Sequence, residues 1–226
     1  MKKFGIIAAV EIDAVKRKYE NLLETLHDGG FDIYHYAVNG NDIYVLHSGV
    51  GEISAAAATQ LLISLYHVDM ILNFGVVGSL TKEMDDVRLC VVEKVVHYQF
   101  DTSEIDHCPV GQYLEEYPTI YMPATKELVN IAIKVDPTLV KVTCASGDRF
   151  VASAEDKAAL HEQFNADICE MEAAAIIKTA NRNHVPCLSI KMVSDSLHGG
   201  PEEYETAFDE SSDKCLAVLD EIMKVL

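Results

Sequence analysis

Residues 69–80, "DMILNFGVVGSL", run apolar with almost no alternation and then break on glycine. A strand with one wet face alternates apolar and polar side chains, whereas an unbroken run of Met, Ile, Leu, Phe and Val is a strand covered on both faces. The same signature appears in "FGIIAAV" at 4–10, in "VRLCVVEKVV" at 87–96 and in "CLSIKMV" at 187–193. Shorter versions stand in "DIYVLHSGVG" at 42–51 and "VKVTCAS" at 140–146. Helical stretches separate them: the Ala-rich "EISAAAATQLLISLY" at 52–66, "TKELVNIAIKV" at 125–135, the segment following "ADICE", and the whole of 201–226. Strands that must be covered twice, alternating with helices, predict an α/β fold: a largely parallel or mixed central sheet with helices on its faces. One domain spanning 1–226 is the simplest organisation, since 226 residues of which 49% are apolar can build a single large core.

In such sheets ligands bind beyond the carboxyl ends of the strands. The polar residues that interrupt the apolar runs fall at those ends. Asp13 follows the first strand, Gly75 to Gly78 end "MILNFGVVG", Asp148 to Phe150 follow "VKVTCAS", and Ser194-Asp195 follow "LSIKMV". The sheet as drawn brings these four ends to one rim.

Charge narrows the partners. A net charge of −18 offers no cationic stripe for a nucleic-acid backbone and no polybasic patch for a membrane surface. The N-terminal "MKKFGIIAAVEIDAVK" starts as a secretory signal would, but its apolar run ends at Glu11 and Asp13 with no small-residue cleavage site, so it is read as a first strand and the protein as cytoplasmic. The six cysteines are scattered without a C-x-x-C pair, which predicts buried thiols rather than disulfides or metal ligands.

The stretch "ICEMEAAAI", 168–176, sets two carboxylates in what otherwise reads as interior. A buried, unpaired carboxylate costs several kcal/mol, so Glu170 and Glu172 are expected to be paired, protonated or in use.

Taken together, "GIIAAVEIDAV", "HSGVGEISAAAATQLL", "ILNFGVVGSL", "SGDRFV", "CEMEAAAI" and "MVSDS" resemble, in order and spacing, the 5′-methylthioadenosine/S-adenosylhomocysteine nucleosidases of the nucleoside phosphorylase superfamily. The resemblance runs from Gly5 to the C-terminal helix. It implies a three-layer α/β/α nucleoside-phosphorylase-like fold with a mixed, partly barrel-like sheet, usually as a homodimer. It further implies hydrolysis of the N-glycosidic bond of a 5′-thio-substituted adenosine, releasing adenine as in methionine salvage, with no metal or organic cofactor.

The chemistry needs a proton for departing adenine, negative charge near an oxocarbenium-like sugar, and an oriented water. By the resemblance, Asp195 is the acid that protonates adenine, with Ser194 placing it, although an Asp before a helix is also an ordinary N-cap. Glu172 accepts the ribose hydroxyls beside the developing cation, and Met171 lies against the sugar. Glu170 fits a supporting acid, a salt-bridged or capping group, as well as a ligand contact. Phe150 and Val151 match the adenine pocket. Val50, Ile105 and Phe208 are candidates for an apolar 5′-substituent pocket to which the partner subunit contributes, and Val76 and Val77 line the end of their strand.

Three positions depart from the family pattern. Where the first strand commonly ends A-M-E-E-E, with the third acid as general base, this chain reads "AVEID", so the register assigns that base to Asp13 rather than Glu11. Val76 replaces a common serine, and Lys191 replaces a common arginine, keeping the charge but not the planar fork. The departures leave two alternatives to a hydrolase: a phosphate-dependent phosphorylase, disfavoured because Glu11 and Asp13 would repel phosphate, and a catalytically weak nucleoside-binding protein.

Overall fold

In the computed structural model, which describes residues 1–226, ten strands form one sheet. The chain opens with β1 (Lys3–Ala8) and a short helix α1 (Ile12–Lys18), then a meander of β2 (Leu22–Asp28), β3 (Phe31–Val38) and β4 (Asn41–His47). Helix α2 (Glu52–Ser64) leads to β5 (Met70–Ser79), α3 (Lys82–Val87), β6 (Leu89–His97), α4 (Ser103–Asp106) and the two-residue β7 (Met122–Pro123). There follow α5 (Lys126–Val135), β8 (Val140–Ser146), α6 (Ala154–Phe164), β9 (Ile168–Glu170), α7 (Ala173–Arg182), β10 (Cys187–Asp195) and α8 (Pro201–Met223).

The apolar runs are the central strands. All ten residues of β5 are buried, as its unbroken run requires. β5 pairs with β10 in parallel; β10 pairs with β6, β6 with β8, β8 with β9, and β9 returns to β5, closing a five-strand ring. β1 also pairs with β5 in parallel, and β4, β3 and β2 extend from it in that order. Closure leaves the five ring strands without a free edge, while β2 remains an edge strand at the end of that extension. The sheet is thus mixed and partly barrel-like, and a cluster of 50 buried residues joins it to its flanking helices.

The sequence reading did not assign the short elements α1, α3, α4 and β7, nor the hairpin β2–β3 and helix α6. The hairpin β2–β3 turns on Gly29-Gly30, both at positive φ, a two-residue turn whose twist suits paired strands, but β2 is largely exposed and has no apolar run to announce it. Helix α6 has too weak an apolar stripe to be read by period, yet it carries a start signal: Ser153 accepts a hydrogen bond from the Asp156 backbone N–H at 3.1 Å. The six cysteines are all free and buried. No helix is long and apolar enough to cross a membrane.

Candidate active site

The carboxyl ends of β1, β5, β9 and β10, with the loop after β8, surround a cavity of about 560 Å³, its mouth included. β5 forms its floor, and two glycines there make room for two acids. A Cβ on Gly75 would lie 2.5 Å from Glu11 Oε1, and one on Gly78 would lie 3.0 Å from Asp195 Oδ2. Any side chain at either position would displace the carboxylate opposite it.

Asp195 reaches the cavity through an irregularity. Along the β10–β5 pair Val193 faces Val77, but Asp195 faces Gly78, so Ser194 is the extra residue of a bulge. Bulges of this kind re-aim a side chain at the end of a strand. Asp195 is 1% exposed; its Oδ1 lies 3.0 Å from the Ser194 hydroxyl and its Oδ2 accepts from the Lys157 ammonium at 2.6 Å.

β9 ends in Glu170, and α7 begins three residues later. The Glu170 carboxylate accepts from the backbone N–H of Glu172 at 3.1 Å and of Ala173 at 2.9 Å, and from Lys191 Nζ at 3.2 Å. Glu170 is thus a capping, ion-paired acid, and it also lines the cavity. Glu172 is aimed into the cavity and accepts from the Gly51 N–H at 2.9 Å. Burial, and then repulsion from Glu170, pushes its carboxyl up to about 7. Met171 lies between them on the cavity wall.

Phe150 and Val151 form the wall opposite. Phe150 is 41% exposed and meets Tyr204 edge-on at 5.6 Å, whereas Val151 is buried. Val50, Val76 and Val77 line the cavity too. Asp148, at the same loop, accepts from the Glu52 N–H at 2.7 Å and so caps α2. Arg149, which has no role in the sequence reading, lines the rim and is ion-paired with Asp156.

Two assignments, Asp13 and Lys191, are corrected by these positions. Asp13 is outside the cavity: its side chain is 76% exposed, 3.9 Å from Lys16 on the helix surface. Glu11 takes its place, 4% exposed, with Oε1 accepting from the Val76 N–H at 3.2 Å and Oε2 from the Val10 N–H at 3.1 Å. The cause is the chain path. β1 stops at Ala8, and Glu11 is already the residue preceding a helix, so Asp13, two residues on, is swung roughly 200° around the helix axis instead of continuing an extended alternation. Ile105 does not line the cavity of its own chain; it stands 80% exposed on α4. Lys191 lies behind the wall rather than on it, in a buried ion pair with Glu170. Burial alone would lower its ammonium pKa, but Glu170, Glu172 and Glu11 outweigh that and raise it.

Three residues escaped the sequence reading. Tyr204 on α8 lines the cavity, and Phe208, which was the candidate, packs on Tyr204 from behind at 5.5 Å. The pattern Y-x-x-x-F on one helix face carried the signal without saying which ring faces in. Glu52 is buried behind Glu172, receiving the Ser146 hydroxyl and, at 2.6 Å, the Ala175 N–H, and so ties α2 to α7. Burial, then Glu170, pushes its carboxyl up to about 8. Lys157 had no signal beyond its helix.

The arrangement is one carboxyl at the β10 end, two carboxyls at the β1 and β9 ends, and an apolar and aromatic wall, which suits a neutral, partly apolar ring compound bearing hydroxyls. The sequence pattern of the phosphorylase superfamily matches residues 3–224. The 5′-methylthioadenosine/S-adenosylhomocysteine nucleosidase of Hydrogenovibrio crunogenus is 33% identical over 220 residues, 94% of this chain and 92% of that protein. The aminodeoxyfutalosine nucleosidase of Helicobacter pylori is 31% identical over 221 residues, 95% and 93% of the two chains. The crystal structure of a mutant Helicobacter pylori nucleosidase with 5′-methylthioadenosine in its active site superposes with a TM-score of 0.94 at 26% identity, covering 100% of both chains.

Proposed function

The chain belongs to the phosphorylase superfamily, within the family of 5′-methylthioadenosine/S-adenosylhomocysteine nucleosidases, and is an N-glycosyl hydrolase; from this we propose that it releases adenine from a 5′-thio-substituted or closely related adenosine, with Asp195, Glu172 and Glu11 as its working groups. The observation that carries the assignment of roles is the convergence of these three carboxyls on one cavity from three different strand ends.

Asp195 protonates the leaving purine at N7 while the C1′–N9 bond breaks and its electron pair passes into the ring. Glu172 accepts the ribose hydroxyls and sets negative charge beside the sugar as it becomes cationic. Glu11, not Asp13, takes a proton from the attacking water. Its two backbone donors hold it over the end of β5, and the general base keeps glutamate's full reach because the chain uses an earlier residue. Phe150 and Tyr204 supply stacking area for the base.

Phosphate is disfavoured as the nucleophile. Each cation near the cavity already has an acid: Lys157 with Asp195, Lys191 with Glu170, Arg149 with Asp156. Glu11 and Glu172 would repel the anion.

The working unit we propose is a cytoplasmic homodimer acting in methionine salvage. Val50 is 52% exposed at the cavity mouth, Ile53 83% on α2 beside it, and Leu114 52% nearby, which supports a partner subunit covering that side and adding Ile105 to the 5′ pocket. Light scattering is expected to give twice the 24.9 kDa chain mass. The functional test is adenine release from 5′-methylthioadenosine and S-adenosylhomocysteine with and without phosphate. Release independent of phosphate, with free thioribose, is the expected result; release only with phosphate refutes the hydrolase.

A further inference from the structure

Lys157 is a fully buried ammonium. It is 0% exposed, and an ammonium taken from water is tolerated only where its donors are met. All three are: by Asp195 Oδ2 at 2.6 Å, the Ser196 carbonyl at 2.6 Å and the Gly199 carbonyl at 3.2 Å. Anchoring the 196–199 segment would account for the two carbonyls. It does not account for the third contact, which is the carboxyl at the end of β10.

We infer that Lys157 is a positioning residue for the leaving-group acid: it holds Oδ2 of Asp195 so that Oδ1 alone carries the transferred proton, and it neutralises the carboxylate left behind. The inference rests on the nucleosidase reading of the cavity. With Oδ2 engaged by the ammonium, the free proton position is Oδ1. The Ser194 hydroxyl lies 3.0 Å from that oxygen and 3.3 Å from the Val77 carbonyl. A hydroxyl has one proton to give. It donates to Val77 while Oδ1 is protonated, and turns to Oδ1 once that proton has gone. In the step itself the Oδ1–H bond breaks and an N7–H bond forms on the purine. The C1′–N9 electron pair enters the ring, and the new carboxylate is met by a cation at once instead of standing unpaired in the interior.

The same ammonium links the acid to the segment leading into α8, whose Ser196 N–H and hydroxyl are held by Glu203 at 3.0 and 2.8 Å. The other titratable or charged groups around Asp195 are Cys169 from β9, Tyr204 from α8, and Arg88, which donates to the Ser194 carbonyl at 3.2 Å before β6.

The experiment is the pH profile of kcat for adenine release by the wild type, Lys157→Met, Lys157→Gln and Lys157→Arg, with folding checked by circular dichroism. Removing the cation favours the neutral carboxyl, so the alkaline limb moves to higher pH by about one unit or more in the two neutral variants. Their kcat falls about 100-fold with KM within about threefold, because a general acid typically contributes 10²- to 10⁴-fold. Lys157→Arg keeps the limb at the wild-type position. A folded Lys157→Met or Lys157→Gln with wild-type kcat and an unmoved limb overturns the inference. Should both neutral variants fail to fold, Lys157→Arg decides it: a limb held in place supports the role, a limb displaced upward refutes it. Absence of turnover in the wild type would instead strike the functional reading, so the two failures are separable.

Discussion

The two ends of the cavity hold their carboxyls by opposite means. At the purine end Asp195 is gripped by side chains, the Lys157 ammonium and the Ser194 hydroxyl. At the water end Glu11 is gripped by main chain, the N–H groups of Val76 and Val10, over a strand position that has no side chain at all. A side-chain grip depends on which residues are present. A main-chain grip depends on where the backbone goes, and it survives the loss of the family's serine at Val76 because a valine's N–H donates as well as any other. On the proposed reading, the purine end carries the residues the resemblance expects, whereas the water end holds a carboxyl in the cavity through a different residue, Glu11.

The largest expected effects test whether both ends are catalytic. Asp195→Asn and Glu11→Gln should each lower kcat by roughly 10²- to 10⁴-fold. Asp13→Asn should change it by less than about twofold, since Asp13 lies on the surface. Steady-state adenine release measures all three; a loss at Asp13 comparable to that at Glu11 would reverse the assignment of the base. Gly75→Ala sharpens the main-chain half of the comparison. Its methyl group would meet Glu11 Oε1 at 2.5 Å, and a displacement of about 1 Å at a catalytic group can cost about 100-fold, so kcat should drop ~10- to 100-fold with the fold intact.

The smallest effect is on stability and comes from two buried acids, Glu172 in the cavity and Glu52 behind it. Glu52 and Glu172 have folded-state carboxyls raised from 4.5 to about 8 and about 7, each chiefly by burial. Between pH 4.5 and 8 the native state therefore holds protons that the unfolded chain has released, so their contribution to stability is full below 4.5 and is lost as pH rises through 7 to 8. Glu52→Gln imitates the protonated acid and can keep both the Ser146 and Ala175 contacts. Relative to the wild type it should gain on the order of 3 kcal/mol between pH 5 and pH 8 in urea unfolding. A difference that does not change with pH would mean that Glu52 is ionised throughout.

Much of this was legible locally. Unbroken apolar runs identified β1, β5, β6 and β10, because burial on both faces leaves no polar position in the strand. The polar residues closing those runs pointed to the rim, and the carboxyls Asp195 and Glu172 were readable from "VSDS" and "CEMEA". Motif reading failed where the path of the chain departs from regular geometry. Glu11 and Asp13 are two apart, and only the early end of β1 decides which of them enters the cavity. Likewise Y-x-x-x-F on α8 announced an aromatic face but left Tyr204 and Phe208 equal until α8 was docked.

By itself, then, the sequence determined the element types, the alternation that makes an α/β sheet, and the chemistry of the strand ends, all of which depend on neighbours a few residues apart. Tertiary structure alone decided the closure of five strands into a ring, the entry of Glu11 rather than Asp13, and the pairing of Lys157 with Asp195. The physical reason is range. Lys157 and Asp195 are 38 residues apart, and Glu11 and Val76 are 65 apart, so their contacts exist only once packing has brought separate elements together.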